Sequence, residues 1–178
     1  GGNDKIFAGD GQDVIVSGSG IDIVDLSEET NFQDKFILDL TNAEESHDTI
    51  FGFTQGTDGD LLQFSNFGVD DLNFLPIVDV ENAPQGGISG CLLRVFGENL
   101  DNSNDLRASL NSGGLLENFK LSELGSAILL TSTSKNTGEN QNLFLASRHN
   151  EITDVNHLAS FVGNYLDIDL WSTDNFII

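Results

Sequence analysis

The first 25 residues repeat with a period of nine, and this repeat restricts the possible folds more than any other feature of the sequence. Residues 8–16 (AGDGQDVIV) and 17–25 (SGSGIDIVD) both follow G-G-x-G-x-D-x-U-x, where U is a large aliphatic residue and a small residue replaces the first glycine. Residues 2–6 continue the same register towards the N-terminus, so Gly1 lies within a repeat. A short exact period predicts a solenoid of stacked coils. A flexible linker would not place an aliphatic residue at every ninth position.

Each repeat divides into a turn of six residues and a strand of three. The turn glycines are free to adopt positive φ angles, which suits an irregular backbone. The side chains at the U position are predicted to point inward and to stack as an aliphatic ladder, and they are Ile6, Ile15 and Val24.

Successive strands lie on alternate sides of such a flattened coil, so turns two repeats apart become neighbours. This places Asp4 beside Asp22 and predicts Asn31 as the partner of Asp13. Stacked turns surround a gap with carboxylate and carbonyl oxygens, which suits Ca²⁺ better than the small, strictly octahedral Mg²⁺. The predicted site residues in these turns are Gly2, Asp4, Gly9, Gly11, Asp13, Gly18, Gly20, Asp22 and Asn31.

The charge of the chain supports bound cations and excludes two classes of partner. Twenty-nine acidic residues against seven basic ones give a formal net charge of −22. Nucleic acids and anionic membrane surfaces require clustered Lys and Arg, so neither is expected. Thirteen Phe residues favour a folded core over disorder. The single cysteine, Cys91, follows the pattern of a small buried residue.

The nonapeptide resembles the RTX (repeats-in-toxin) family, whose parallel β-roll binds calcium in these turns. Residues 48–64 resemble the segment that often follows the last RTX repeats, D-x-I-x-x-F-x-x-G-x-D-x-L-x-F. The resemblance implies that this segment continues the roll and caps its open end. Its acids Asp48, Asp58 and Asp60 are either further calcium ligands or solvated turn residues.

We therefore predict an all-β chain in which a calcium-binding parallel β-roll of three repeats leads into a β-rich capping domain. The predicted units are residues 1–31 (repeats), 32–75 (degenerate roll and cap), 76–90 (a junction with both prolines) and 91–178 (C-terminal domain). Strands are predicted at 91–96, 127–131, 142–146 and 165–171, with the middle two forming an antiparallel pair. The i, i+3, i+4, i+7 spacing of apolar residues predicts a helix over 155–162, and a second short helix is predicted at 106–110.

No sequence motif supports catalysis. The chain contains neither HExxH nor GxSxG, a Cys91–His149 dyad has no supporting signature, and His157 is interpreted as a helix-surface residue. We therefore expect no catalytic site within this fragment, with any catalytic domain upstream.

The last residues are an acid followed by three apolar residues, and the group consists of Asp174, Phe176, Ile177 and Ile178. One interpretation is an edge strand packed on the domain. The other rests on a resemblance to the C-terminal endings of serralysin-like proteins, which implies an uncleaved signal for a type I (ABC) exporter and a secreted, extracellular or cell-surface location. Two alternatives remain: a module that attaches its protein to a cell surface or polysaccharide, favoured if Trp171 and Tyr165 are exposed, and the regulatory tail of a secreted hydrolase or epimerase.

Overall fold

The structure is a computed structural model of the 178-residue chain. The described residues are 1–42, 47–66, 78–79, 90–96, 100–111, 114, 116–117, 119, 121–122, 125–132, 140–149, 152–163 and 166–177. The prolines and most of the predicted junction 76–90 lie outside them, as do Tyr165 and Ile178. No helix among these described ranges has the length and apolarity needed to cross a membrane.

The N-terminal region is a parallel β-roll. Its strands are β1 (Lys5–Phe7), β2 (Val14–Val16), β3 (Ile23–Asp25), β4 (Lys35–Asp39), β5 (Asp48–Phe51) and β6 (Leu61–Ser65). The odd-numbered strands pair in parallel in one sheet, and the even-numbered strands pair in parallel in the other. The chain therefore crosses between the sheets at every turn, as the nine-residue repeat predicts.

Alternate side chains of the roll strands form the interior, because side chains alternate between the two faces of a strand. Ile15 and Val24 are buried and Ile6 is half-buried, which confirms the predicted aliphatic ladder. Phe36, Ile50 and Leu62 extend the ladder through the three degenerate strands and are fully buried. The outward side chains of the first coils, such as Phe7 and Val14, are exposed.

The C-terminal half extends both sheets of the roll. Its strands are β7 (Val78–Asp79), β8 (Cys91–Phe96), β9 (Ser126–Ser132), β10 (Gln141–His149), β11 (Ile152–Val162) and β12 (Phe176–Ile177). The larger sheet has the order β1-β3-β5-β11-β10-β9-β8-β7, and the smaller has the order β12-β6-β4-β2. Since β11 adds to β5 and β12 adds to β6, both sheet edges at this end of the roll are covered.

Several predicted elements of this half are confirmed. The predicted strands 91–96, 127–131 and 142–146 correspond to β8, β9 and β10, and β9 pairs antiparallel with β10. A short helix, α1 (Ser103–Ser109), lies near the predicted second helix, and the side chain of Asn102 caps it by accepting the backbone N–H groups of Asn104 and Asp105. Shorter 3₁₀ helices are formed by Leu40–Asn42, Ile168–Leu170 and Thr173–Asn175.

The predicted helix at 155–162 is wrong, because these residues lie in the strand β11. The strand contains a bulge: Leu143 of β10 faces Ala159, whereas the next residue, Phe144, faces His157. The bulge places Val155, Leu158 and Ala159 in buried positions, with spacings of three and one. A bulged strand therefore produced a spacing that the sequence pattern assigned to a helix.

The predicted strand at 165–171 is also wrong. The Asp167 side chain accepts the N–H of Asp169 and starts the 3₁₀ helix Ile168–Leu170 instead. Ile168 is buried, but Leu170 is exposed.

Candidate calcium site

Six aspartates form two columns, one along each side of the roll, where the turns enter the strands. In the first column, the N–H of Asp4 donates to Oδ1 of Asp22 (2.7 Å), and the N–H of Asp22 donates to Oδ1 of Asp48 (3.0 Å). In the second column, Asp13 donates to Asp34 (2.9 Å) and Asp34 donates to Asp60 (2.8 Å) in the same way. The first column is Asp4, Asp22 and Asp48, and the second column is Asp13, Asp34 and Asp60.

The last aspartate of each column has a protein partner on both carboxylate oxygens, whereas three of the other four have one oxygen without a partner among the described residues. Oδ2 of Asp48 accepts the hydroxyl of Ser17 (2.6 Å), and Oδ2 of Asp60 accepts the N–H of Thr54 (2.7 Å). The Oδ2 atoms of Asp13, Asp22 and Asp34 are buried without a hydrogen-bond partner in the part of the chain that the structure describes. A buried carboxylate oxygen without a partner is costly, and a hard cation would satisfy it.

The burial of these carboxylates makes their charge unfavourable. Loss of solvation raises the pKa of Asp34 and Asp48, and it raises the pKa of Asp60 to about 6 despite the hydrogen bonds from Thr54 and Asp34. Among the described residues, no ion pair involves any of the six column aspartates. The columns therefore collect negative charge that the protein itself does not neutralise, which fits oxygen-bound Ca²⁺.

The comparison with known families agrees with this geometry. Residues 1–24 match the family model described as RTX calcium-binding nonapeptide repeat (4 copies). The chain carries RTX repeats. No curated protein and no solved structure matches the chain. RTX repeats imply a calcium-binding domain of a secreted protein, and the strands described above are compatible with the β-roll that these repeats imply.

The structure brings together the predicted pair Asp4 and Asp22, but it gives Asp13 a different partner from the predicted one. Asp4 and Asp22 are hydrogen-bonded neighbours, 18 residues apart, as predicted. Asp13 lies beside Asp34, 21 residues away, and not beside Asn31, which is exposed. The predicted pairing of Asn31 with Asp13 was wrong, because the turn between β3 and β4 is longer than a repeat turn. The pairing separation grows to 26 residues in both columns at the next step.

The predicted acids beyond the RTX repeats have different positions. Asp48, the first residue of β5, and Asp60, directly before β6, are buried column members. Asp58 is exposed, has a positive φ of 64° and lies outside both columns.

The predicted turn glycines of the repeats adopt the backbone that the motif requires. All five have φ between 80° and 134°, and they are Gly2, Gly9, Gly11, Gly18 and Gly20. At Gly20, a Cβ atom would lie 2.3 Å from the carbonyl oxygen of Gly2 in the stacked turn. Glycine therefore allows the two turns that carry Asp4 and Asp22 to approach each other.

Sequence reasoning missed two acids, Asp34 and Glu28. The signal for Asp34 is present, because an aspartate lies two positions before each of the six ladder residues. Asp34 stands in this relation to Phe36, as Asp22 does to Val24. This D-x-U register continues through all six strands, whereas the nine-residue spacing ends. Glu28 lies in the lengthened turn and has no counterpart in the repeat.

The C-terminal segment is bound to the second column. Strand β12 pairs with β6, and Phe176 is buried against the rings of Trp171 and Phe64. The side chain of Asn175 is fully buried: its Oδ1 accepts the N–H of Gly56, and its Nδ2 donates to the carbonyls of Gly56 and Asp60. The edge-strand interpretation of the chain end is thus confirmed for Phe176 and Ile177.

Of the residues considered for other chemistry, Cys91 is buried in the core, His157 is half-buried and His149, at the end of β10, is exposed. Burial raises the pKa of Cys91 to about 11, so its sulfur is a neutral thiol at pH 7, in agreement with the predicted core position. His157 is not on a helix surface: it lies in β11, where burial, with a smaller contribution from His47, lowers its pKa to about 4. Its ring stacks on those of His47 and Phe144.

Proposed function

We propose that this chain is the calcium-folded C-terminal region of a larger secreted protein, and that its last residues are the address for a type I (ABC) exporter. The observation that carries the proposal is the set of buried, unpartnered carboxylate oxygens in the two aspartate columns. Asp4 and Asp22 would hold Ca²⁺ between stacked RTX turns, with carbonyl oxygens of the glycine turns completing the shell. No catalytic role is proposed for these residues.

Calcium and folding are coupled in this proposal, because the ligands come together only when the turns stack. Without calcium, buried carboxylates in each column repel one another and favour the unfolded chain. Calcium is scarce inside cells, whereas extracellular calcium modules bind with dissociation constants of about 10⁻⁴–10⁻³ M. The chain would therefore remain unfolded during export and fold after it.

The position of the C-terminal segment supports this order of events. Phe176 and Asn175 are buried in the folded chain, so an exporter would recognise the segment before folding. Asn175 binds the turn that carries Asp60, which links this segment to the calcium columns. Surface attachment has less support, since Trp171 is 2% exposed and stacks on Phe53 and Phe176 inside the protein.

The folding part of the proposal is tested by a calcium titration followed by far-UV circular dichroism. We expect β structure to form between chelator and millimolar calcium. Asp22→Asn keeps the Oδ1 acceptor for Asp4 but removes a charge, and it should raise the calcium midpoint about tenfold or more. Asp101→Asn, an exposed acid outside the roll, is the matched control and should leave the midpoint unchanged. An unchanged spectrum between chelator and millimolar calcium would refute calcium-coupled folding.

Export is tested by co-expression with a type I exporter. A variant without residues 172–178 should remain in the cells, whereas a variant without residues 1–31 should still be exported, because it retains the C-terminal address. Equal export of the first variant and the wild type would contradict the assignment of Asp174, Phe176, Ile177 and Ile178 as the signal.

A further inference from the structure

Three carboxylates from different parts of the roll converge beside the second column. Asp13 ends the turn before β2, Asp34 directly precedes β4, and Glu28 comes from the lengthened turn between β3 and β4. One oxygen from each side chain lies within 4.8 Å of the other two. Among the described residues, Asp13, Glu28 and Asp34 form a group of acidic side chains close enough to share a metal ion.

The protein leaves one oxygen of each carboxylate without a partner. Asp34 is 1% exposed; its Oδ1 accepts the N–H of Asp13, and its Oδ2 has no hydrogen bond within the described ranges. Oε2 of Glu28 accepts the N–H of Phe32 at 2.7 Å, while its Oε1 is buried without a partner there, as is Oδ2 of Asp13. Three carboxylates this close together, each with one unpartnered oxygen, repel one another unless a cation lies between them.

The lengthened turn, which holds Glu28 in place, is what distinguishes this cluster from the RTX repeats. Glu28 and Asp34 both lie outside residues 1–24, which match the family model. The N–H of Glu29 donates to Oδ1 of Asp10 (3.4 Å), and this contact anchors the turn on the preceding coil. The bond from Phe32 to Glu28 closes the turn on itself. Glu28 therefore adds a third carboxylate to what would otherwise be a pair of stacked aspartates.

The spacing and the donor chemistry select the cation. All three donors are carboxylate oxygens, which bind hard cations and not soft ones. Two oxygens on opposite sides of Ca²⁺ are separated by about 4.6–5.2 Å, because each lies about 2.3–2.6 Å from the ion. Around Mg²⁺, the corresponding separation is at most about 4.2 Å. Oxygens up to 4.8 Å apart can therefore surround Ca²⁺ as they stand.

We propose that Asp13, Glu28 and Asp34 form a separate three-carboxylate Ca²⁺ site that fills at lower calcium than the two-aspartate site of the RTX repeats. The higher negative charge raises the affinity, and the anchored turn presents the ligands in place. This inference rests on the proposed calcium binding of the roll, but not on export.

The test is isothermal titration calorimetry of the full chain with Ca²⁺, comparing wild type, Glu28→Gln and Glu29→Gln. Glu28→Gln keeps an oxygen for the bond from Phe32, so the turn retains its shape. Glu29→Gln is the matched control, because the side chain of Glu29 is exposed and is not part of the cluster. We expect Glu28→Gln to weaken the tightest calcium-binding event about tenfold or more, and Glu29→Gln to change it less than about twofold.

The same affinities for Glu28→Gln and Glu29→Gln would overturn the proposal, and so would displacement of the tightest Ca²⁺ by about 10 mM Mg²⁺. Circular dichroism of the same samples separates this failure from failure of the proposed function. If Glu28→Gln still folds at millimolar calcium with unchanged tight binding, only the three-carboxylate site is wrong. If the wild type shows no response to calcium, calcium-coupled folding is wrong as well.

Discussion

One sheet of the β-roll continues into the C-terminal strands β8–β11, but the roll and these strands bury different kinds of side chain. Strands β1–β6 enclose a narrow aliphatic ladder, and four aspartates beside it are at most 3% exposed: Asp22, Asp34, Asp48 and Asp60. Strands β8–β11 enclose a core of aliphatic and aromatic residues, and their buried polar side chains are neutral: Thr131, Ser132, Gln141 and Asn142. Neighbouring strands of one sheet therefore bury polar side chains of different charge.

A core of neutral side chains is stable without further ligands, since burial of apolar surface supplies the free energy. Buried carboxylates without basic partners reduce stability until a cation compensates them. We therefore expect calcium to control the roll and to have little effect on β9 and β10.

The largest expected effect is that of calcium removal. In chelator, the backbone amides of β1–β4 should exchange with deuterium roughly 100-fold faster than in millimolar calcium, because their strands lose the metal-bridged turns. The amides of β9 and β10 should keep their protection. Hydrogen exchange with mass spectrometry measures both regions in one sample. Equal loss of protection in the two regions would show that they fold as one calcium-dependent unit.

A cavity in the core enclosed by β8–β11 should lower the free energy of unfolding by the same amount with and without calcium. Leu129 is fully buried in β9, so Leu129→Ala should lower the free energy of unfolding by about 3 kcal/mol. Leu145→Ala, on the neighbouring strand and half-buried, should cost roughly half as much. Urea denaturation, monitored by the exchange of β9 amides, should give the same loss in chelator and in calcium. A loss that appears only in calcium would contradict separate stabilisation.

Acid should affect the two regions in opposite directions. His157 in β11 has a pKa of about 4 in the folded protein and 6.5 when unfolded, so the unfolded chain takes up its proton first. Stability from this group is present above pH 6.5 and is lost as the pH falls towards 4, by about 2 kcal/mol at pH 5. The raised pKa of Asp60, about 6, has the reverse effect: without calcium, protonation between pH 6 and 3.8 favours the folded roll.

Chemical denaturation of wild type and His157→Asn between pH 8 and pH 5 isolates the histidine contribution. The stability difference between the two proteins should shrink as the pH falls, since the variant has no proton to gain. If the stability difference between the two proteins did not change with pH, the lowered pKa of His157 in the folded protein would be wrong.

The smallest effect is expected at Asp58, the predicted ligand that lies outside both columns. Asp58→Asn retains a residue type that tolerates the positive φ of 64° and removes one exposed charge. Unfolding free energy should change by less than about 0.5 kcal/mol, and the calcium midpoint should remain within about twofold of the wild type. A tenfold increase in the midpoint would place Asp58 among the ligands.

The sequence by itself was sufficient for the roll. Its inward side chains, the glycine turns and the Asp4–Asp22 pair all depend on contacts between adjacent coils, so a local period encodes them. The strands β8–β10 were also predicted, from their short runs of apolar residues. The D-x-U register also identifies Asp34, although the nine-residue spacing alone misplaced the partner of Asp13 at Asn31.

Only the tertiary structure decided the features that depend on distant partners. The bulge in β11 arises from pairing with β10 and produces a spacing that is indistinguishable from that of a helix in one dimension. The burial of Asn175 depends on a turn 115 or more residues earlier in the chain. Glu28 joins Asp13 and Asp34 only because a longer turn folds back over the coil before it. A repeat specifies the contacts between adjacent coils, but it does not specify which part of the roll an irregular segment contacts.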